Sequence, residues 1–77
     1  MTIMEKTTFK KLIVLIPAYN EEELIGKTIS DIPRKILGIE TVEILVVDDG
    51  SSDKTVEIAM NAGANKIVSL GKNMGVA

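Results

Sequence analysis

Apolar residues in this chain fall into two kinds of run, and the two kinds alternate. Ile44-Leu45-Val46-Val47 is unbroken, too short for a helix and rich in β-branched side chains. That is the habit of a strand buried on both faces of a parallel sheet. Leu12 to Ile16 is a second run of this kind, inside a strand expected over 11–16, and Lys66 to Leu70 predicts a third, shorter strand. Between the strands the spacing changes. Leu24, Ile25, Thr28, Ile29 and Ile32 recur three and four residues apart, as on one face of a helix, and Val56, Ala59 and Met60 mark a second helix.

The polar positions punctuate these runs. Pro17 has no amide hydrogen for a sheet ladder and is expected to end the first strand. Asn20 suits a helix N-cap, and Glu21, Glu22 and Glu23 suit the first turn, where the helix dipole favours negative charge. Pro33 ends or kinks that helix, and residues 34–41 read as a connection turning at Gly38. The second strand is expected over Val42–Val47. Ser52 or Asp53 is placed to cap the second helix and Gly63 to terminate it. Met1 to Phe9 has no clear period, so residues 1–10 are expected to be a flexible tail ahead of a single segment over 11–77.

The order β-α-β-α-β with short loops implies an α/β fold on a parallel sheet, of the three-layer type. Right-handed crossovers that keep moving one way give the order 3-2-1 and put both helices on one face. The other face is then bare, although strands apolar at consecutive positions call for cover on both sides. The expectation is an incomplete unit. It would need a second copy, or a missing C-terminal part beyond the Gly71–Gly75 turn.

Composition narrows the chemistry. The chain has 77 residues, 45% of them apolar, with a net charge of −2. A chain this small buries only about 60% of its unfolded surface, so its core is marginal. The weak negative charge and the single Tyr, single Phe and absent Trp argue against a nucleic-acid partner. Without Cys there is no disulfide framework or thiolate metal site, and without His no imidazole base. No apolar run reaches the ~20 residues of a membrane span, and Leu12 to Ile16 is too short for a secretory signal. The expected location is the cytoplasm.

Candidate chemistry gathers where two strands end. Asp48-Asp49-Gly50-Ser51-Ser52-Asp53 follows the second strand, at the edge where open α/β sheets bind ligands. The plain reading is a loop start and helix cap. The functional reading is a nucleotide pocket: a carboxylate accepts from base N–H groups, and Gly50 and Ser51 let a ligand come close to the backbone. Pro17-Ala18-Tyr19-Asn20-Glu21 reads either as strand stop and helix cap, or as Tyr19 walling a base or ribose with Glu21 as an acceptor. Gly71-Lys72-Asn73-Met74-Gly75 is a turn before a helix or, with Lys72, a loose phosphate-binding turn. Neither common glycine-rich phosphate motif occurs in the chain.

Three stretches together resemble the opening of the family 2 glycosyltransferases: Leu15-Ile16-Pro17-Ala18-Tyr19-Asn20-Glu21-Glu22, Val46-Val47-Asp48-Asp49-Gly50-Ser51-Ser52-Asp53-Lys54-Thr55, and Lys72-Asn73-Met74-Gly75-Val76-Ala77. The form Pro-x-Tyr-Asn-Glu is closest to the dolichyl-phosphate mannose synthase and polyprenyl-phosphate glycosyltransferase branch. The resemblance implies the nucleotide-binding half of a GT-A, Rossmann-like fold acting on a GDP- or UDP-sugar. It implies Pro17, Tyr19 and Glu21 as the first nucleotide-contacting motif and Val46 and Asp48 as positions that hold the base, with Asp49 beside them. It also implies Gly75 at the start of a following helix, with Lys72 near the phosphates. The family's Asp-x-Asp metal motif, acceptor half and general base have no counterpart here. Mg²⁺ or Mn²⁺ is therefore expected of a full-length inverting transferase, and no metal ligand or catalytic residue of this chain. The parent would use a polyprenyl-phosphate or saccharide acceptor, in the cytoplasm or at the cytoplasmic face of a membrane, while this chain alone would be inactive.

One alternative from another class is a non-catalytic module that self-associates through its uncovered sheet face. Another, a phosphoacceptor receiver domain, has the acidic pair but lacks an Asp at the end of the third strand, where Ser69 to Gly71 stand.

Overall fold

The computed structural model describes residues 9–70. They form β1 (Phe9–Ala18), α1 (Ile25–Ser30), β2 (Ile39–Asp48), α2 (Thr55–Ala62) and β3 (Lys66–Ser69). The sheet is parallel throughout, in the order β1-β2-β3. Both crossovers advance the same way across it. The expected α/β class and strand order are what the chain forms.

Register fixes which side chains go inward. Ile16 lies beside Val46 and Val46 beside Ile67, while Ala18 pairs with Asp48 and Asp48 with Ser69. The even-numbered positions of β1 and β2 thus share one face, and Val42, Ile44 and Val46 are buried there. Ile25 and Ile29 of α1 and Ala59 of α2 close over them, with Ala18, Val14, Ile16, Ile58 and Ile67 around the edge. Helix packing is close. A side chain at Gly26 would place its Cβ 3.2 Å from Ile58 Cγ2, so the glycine sets how near the helices come. The described residues make two layers, a sheet and helices on one of its faces.

On the other face, Ile13 is 55%, Leu15 59% and Val68 38% exposed. This is the bare face that the one-way topology requires.

Several boundaries differ from expectation, each for a local reason. β1 begins at Phe9, whose amide donates to Gly38 O at 2.8 Å, so two residues assigned to a tail are strand; residues 1–8 lie outside the described region. β1 also runs past Pro17 to Ala18. Among the described residues β1 is an edge strand, where a proline sacrifices little of the ladder. β2 starts at Ile39 rather than Val42, because Ile39 pairs with Phe9 and Thr41 with Lys11. Met60 and Leu24, assigned to buried helix faces, are each 62% exposed. The inward face of α2 is Thr55, Ile58, Ala59 and Ala62. Gly63 does terminate α2, at φ 112°, a left-handed conformation that favours glycine.

The start of β3 is stapled separately to the middle of β2. Ile44 N–H donates to Asn65 Oδ1 at 2.8 Å and Asn65 N–H to Ile44 O at 2.9 Å. Arg34 reaches the same Oδ1 at 3.0 Å and also donates to Gly63 O.

Candidate functional site

The loops that leave β1 and β2 stand side by side at the C-terminal rim, because their strands are parallel neighbours. Asp49 N–H donates to Ala18 O at 2.9 Å, extending the ladder one step beyond the strand. Past that point the chains separate, and side chains join the two loops.

Asp48 is buried, and its carboxylate is committed to its own turn. Oδ2 accepts from Gly50 N–H at 3.2 Å and Ser51 N–H at 3.0 Å, while Oδ1 accepts from the Ser51 hydroxyl at 2.5 Å. Gly50 has φ 84° in this turn, a conformation that a side chain would strain. Ser51 Oγ in turn accepts from Asn20 N–H at 2.7 Å, and Asn20 Oδ1 accepts from Ser52 N–H at 2.8 Å. The residues beside Asn20, Tyr19 and Glu21, are therefore tied to Asp48 through one hydroxyl.

A second set of bonds lies beyond the first. Glu21 N–H donates to Thr55 Oγ1 at 2.7 Å. Glu22 N–H donates to Asp53 Oδ2 at 3.2 Å, and Lys54 N–H donates to Glu22 Oε1 at 3.0 Å. Asp53 Oδ1 accepts both the amide of Thr55, at 2.9 Å, and its hydroxyl. The N-cap of α2 is Lys54, not Ser52 or Asp53; the Asp53 carboxylate, one residue ahead of it, ties the start of α2 to the first loop. Partial burial pushes its carboxyl up, but hydrogen bonds from Thr55 and Glu22 outweigh that and hold it below the usual carboxylate value.

The residues singled out from the sequence divide into four groups. Tyr19, 42% exposed, and the exposed Pro17 and Glu21 stand on the rim with side-chain surface to offer. Asp48 and Asp49 are 1% and 3% exposed beside them. Val46 is wholly buried in the core, so only its backbone can face a ligand. Lys72 and Gly75 lie outside the described residues. Asn20 is not the N-cap of α1. It has φ 50°, its side chain is taken by Ser52, and α1 begins only at Ile25. Sequence reading gave Thr55 no role and Glu22 only that of a first-turn carboxylate, although the first turn of α1 holds no acidic residue. The available signal was the density of Asn, Ser, Thr and Asp in both loops, residues whose short side chains bond to nearby backbone.

A groove of about 300 Å³ opens beside the brace, lined by Asn20, Glu21, Glu22, Glu23, Leu24 and Asp53. Carboxylates there can accept from base N–H groups and ribose hydroxyls, and they repel phosphate. The groove suits the nucleoside end of a ligand, not its diphosphate. A larger groove, about 410 Å³, lies at the opposite end of the sheet among Arg34, Lys35, Ile36, Leu37, Ile39 and Glu40.

The described residues do not fit the divalent cation that the resemblance implies. Among the described residues no three His, Cys, Asp or Glu side chains converge on a common point, and both Asp48 oxygens are spent on Gly50 and Ser51. No helix of the described residues is long and apolar enough to cross a membrane.

Comparison with known proteins finds matches along most of the chain. The model of the family described as glycosyl transferase family 2 matches residues 13–77. A dolichyl-phosphate hexose transferase of Haloferax volcanii is 42% identical over 74 residues, covering 96% of this chain and 31% of that protein. The glycosyltransferase AglJ of the same organism is 41% identical over 64 residues, covering 83% of this chain and 20% of AglJ. Among solved structures, one described as a mycobacterial protein superposes with a TM-score of 0.66 at 34% identity, covering 94% of this chain and 23% of that one. The chain thus spans between a fifth and a third of the length of these relatives.

Proposed function

The chain belongs to glycosyl transferase family 2, and from that premise we propose that it is the donor-recognition segment of a hexosyltransferase. The donor is a nucleoside diphosphate sugar, with GDP and UDP as the candidate carriers. The acceptor is a polyprenyl phosphate or a saccharide, the lipid being favoured by the likeness to the Haloferax dolichyl-phosphate hexose transferase. In the inverting reaction an acceptor oxygen, either a phosphate oxyanion or a hydroxyl that gives up its proton to a base, bonds to the anomeric carbon as the bond from that carbon to the diphosphate breaks. The nucleoside diphosphate leaves with the electron pair. The full-length enzyme would be expected to take Mg²⁺ or Mn²⁺ to offset the leaving group's charge.

One observation carries the reading. Both motif loops lie on the C-terminal rim of adjacent parallel strands and are hydrogen-bonded to each other, so Tyr19, Glu21 and the Asp48 turn form one wall. On that wall Tyr19 would lie against the base or ribose and Glu21 would accept from it. Pro17 and Asp49 would flank them, with Val46 and Asp48 shaping the backbone from beneath. Lys72 and Gly75 are proposed for the phosphate side.

Calorimetry of the chain with UDP and GDP tests the binding half of the proposal. Heat of binding with one of them and no sugar transfer with added Mg²⁺ is the expected result. Absence of binding to both, or measurable transfer, would contradict it.

The exposure of Ile13, Leu15 and Val68 on the bare face favours a second reading, self-association of the chain through that face. Sedimentation tests it: a stable oligomer indifferent to nucleotide supports the second reading over the first.

A further inference from the structure

Asn20 is the one non-glycine residue among those described with a positive φ, 50°. Such a conformation is uncommon for any residue with a side chain, and Asn is among the few that tolerate it. Strain of this kind persists only where the surroundings over-determine it. Here they do so from both sides of one residue. Its amide donates to Ser51 Oγ at 2.7 Å and its side-chain oxygen accepts from Ser52 N–H at 2.8 Å. Both partners are on the other loop, 31 and 32 residues away.

The residues on either side of Asn20 carry the exposed chemistry of the rim. A left-handed residue between Tyr19 and Glu21 turns the backbone sharply, and that turn sets where the two side chains point. The next bond outward, Glu21 N–H to buried Thr55 Oγ1 at 2.7 Å, holds the far end of the turn. Ser51 Oγ links the near end to Asp48, whose burial makes it a fixed anchor.

We propose that Asn20 is a positioning residue. By holding a left-handed backbone between two loop-crossing hydrogen bonds, it fixes Tyr19 and Glu21 relative to the Asp48 turn before a ligand arrives. That the pair serves a nucleotide rests on the donor-recognition reading above; the brace itself does not. Preorganisation of this sort raises affinity by removing the ordering cost from the binding step.

The chain has one Tyr and no Trp, so its intrinsic fluorescence reports Tyr19 alone. The test is time-resolved anisotropy of Tyr19 in the unliganded 77-residue chain, for the natural sequence and for Asn20→Ala, Asn20→Gly and Asn20→Asp. Glycine restores only the positive φ, whereas aspartate restores the φ and the acceptor. Tyr19 is expected to be most mobile in Asn20→Ala, intermediate in Asn20→Gly and close to the natural chain in Asn20→Asp. UDP or GDP, whichever binds, is expected to bind Asn20→Ala about five- to tenfold more weakly, with Asn20→Asp recovering most of the loss. If Asn20→Ala loses its helical signal, the Gly and Asp variants decide by the same ordering. Equal Tyr19 mobility in the folded variants overturns the proposal. If neither nucleotide binds the natural chain while the mobility ordering holds, the brace stands and the donor reading fails.

Discussion

Thr55 Oγ1, at the buried start of α2, accepts the amide of Glu21 at 2.7 Å and donates to the carboxylate of Asp53. One hydroxyl thus joins the helix start to the loop that leaves the neighbouring strand. Thr55→Val keeps the shape of the side chain and removes both bonds. Its expected cost is about 1–3 kcal/mol, the penalty for leaving a partly buried amide without a partner. Thr55→Ser, which keeps the hydroxyl, should cost clearly less. Denaturant unfolding of the two variants checks the ordering.

Acid should loosen the same brace. The Asp53 carboxyl lies below its ordinary value of 3.8 in the folded chain. A group whose folded pKa is lowered adds stability that is fully present above the unfolded value and lost as pH falls through the folded one. Asp53 should therefore contribute throughout neutral pH, and its contribution should fade below about pH 4. Asp53→Asn should be less stable than the natural chain at pH 7, and the two should converge in acid. Unfolding midpoints across pH 2–7 decide, and parallel curves would contradict the assignment.

Val46 and Tyr19 should separate stability from binding. Val46 is wholly buried among Ile29, Ile44 and Ala59. Val46→Ala should cost roughly 2–3 kcal/mol, with no change in preference between UDP and GDP. Tyr19→Ala, at a site 42% exposed, should change stability by within about 0.5 kcal/mol and weaken nucleotide binding. Unfolding and calorimetry on both variants give the comparison.

The bare sheet face makes a separate prediction. Leu15 is 59% exposed, so Leu15→Lys should change stability by no more than about 0.5 kcal/mol. If copies of the chain associate through this face, the substitution should lower the mass measured by sedimentation. An unchanged mass would remove the face from any such contact.

The parts of this fold legible in the sequence were those with a local physical signature. Ile44 to Val47 announced β2 because an apolar run that short suits a sheet with both faces covered. Gly63 announced the end of α2 because its left-handed turn excludes most side chains. Ser52 or Asp53 was read as the cap of α2; the N-cap is Lys54, and Asp53, one residue ahead of it, bonds the first helical amide, that of Thr55. What escaped was decided by partners distant in sequence. Asn20 has the credentials of an N-cap, but Ser52, 32 residues on, takes its side-chain oxygen, and α1 starts five residues later at Ile25. Ile39 and Phe9 gained strand conformation by pairing with each other, which neither local pattern reveals. At the site, matching letters in a motif did not separate the wall from its support. Val46 and Tyr19 belong to matched stretches alike, yet one is core and the other surface.

The most direct measurement is an amide-resolved NMR titration of the isotope-labelled chain with UDP and with GDP. The account predicts saturable shifts for one of them, centred on Tyr19, Asn20, Glu21 and the Asp48–Ser52 turn and reaching Lys72 and Gly75, with Arg34 to Glu40 at the opposite end of the sheet unmoved. Shifts centred on Arg34 to Glu40, or none with either nucleotide, would contradict it.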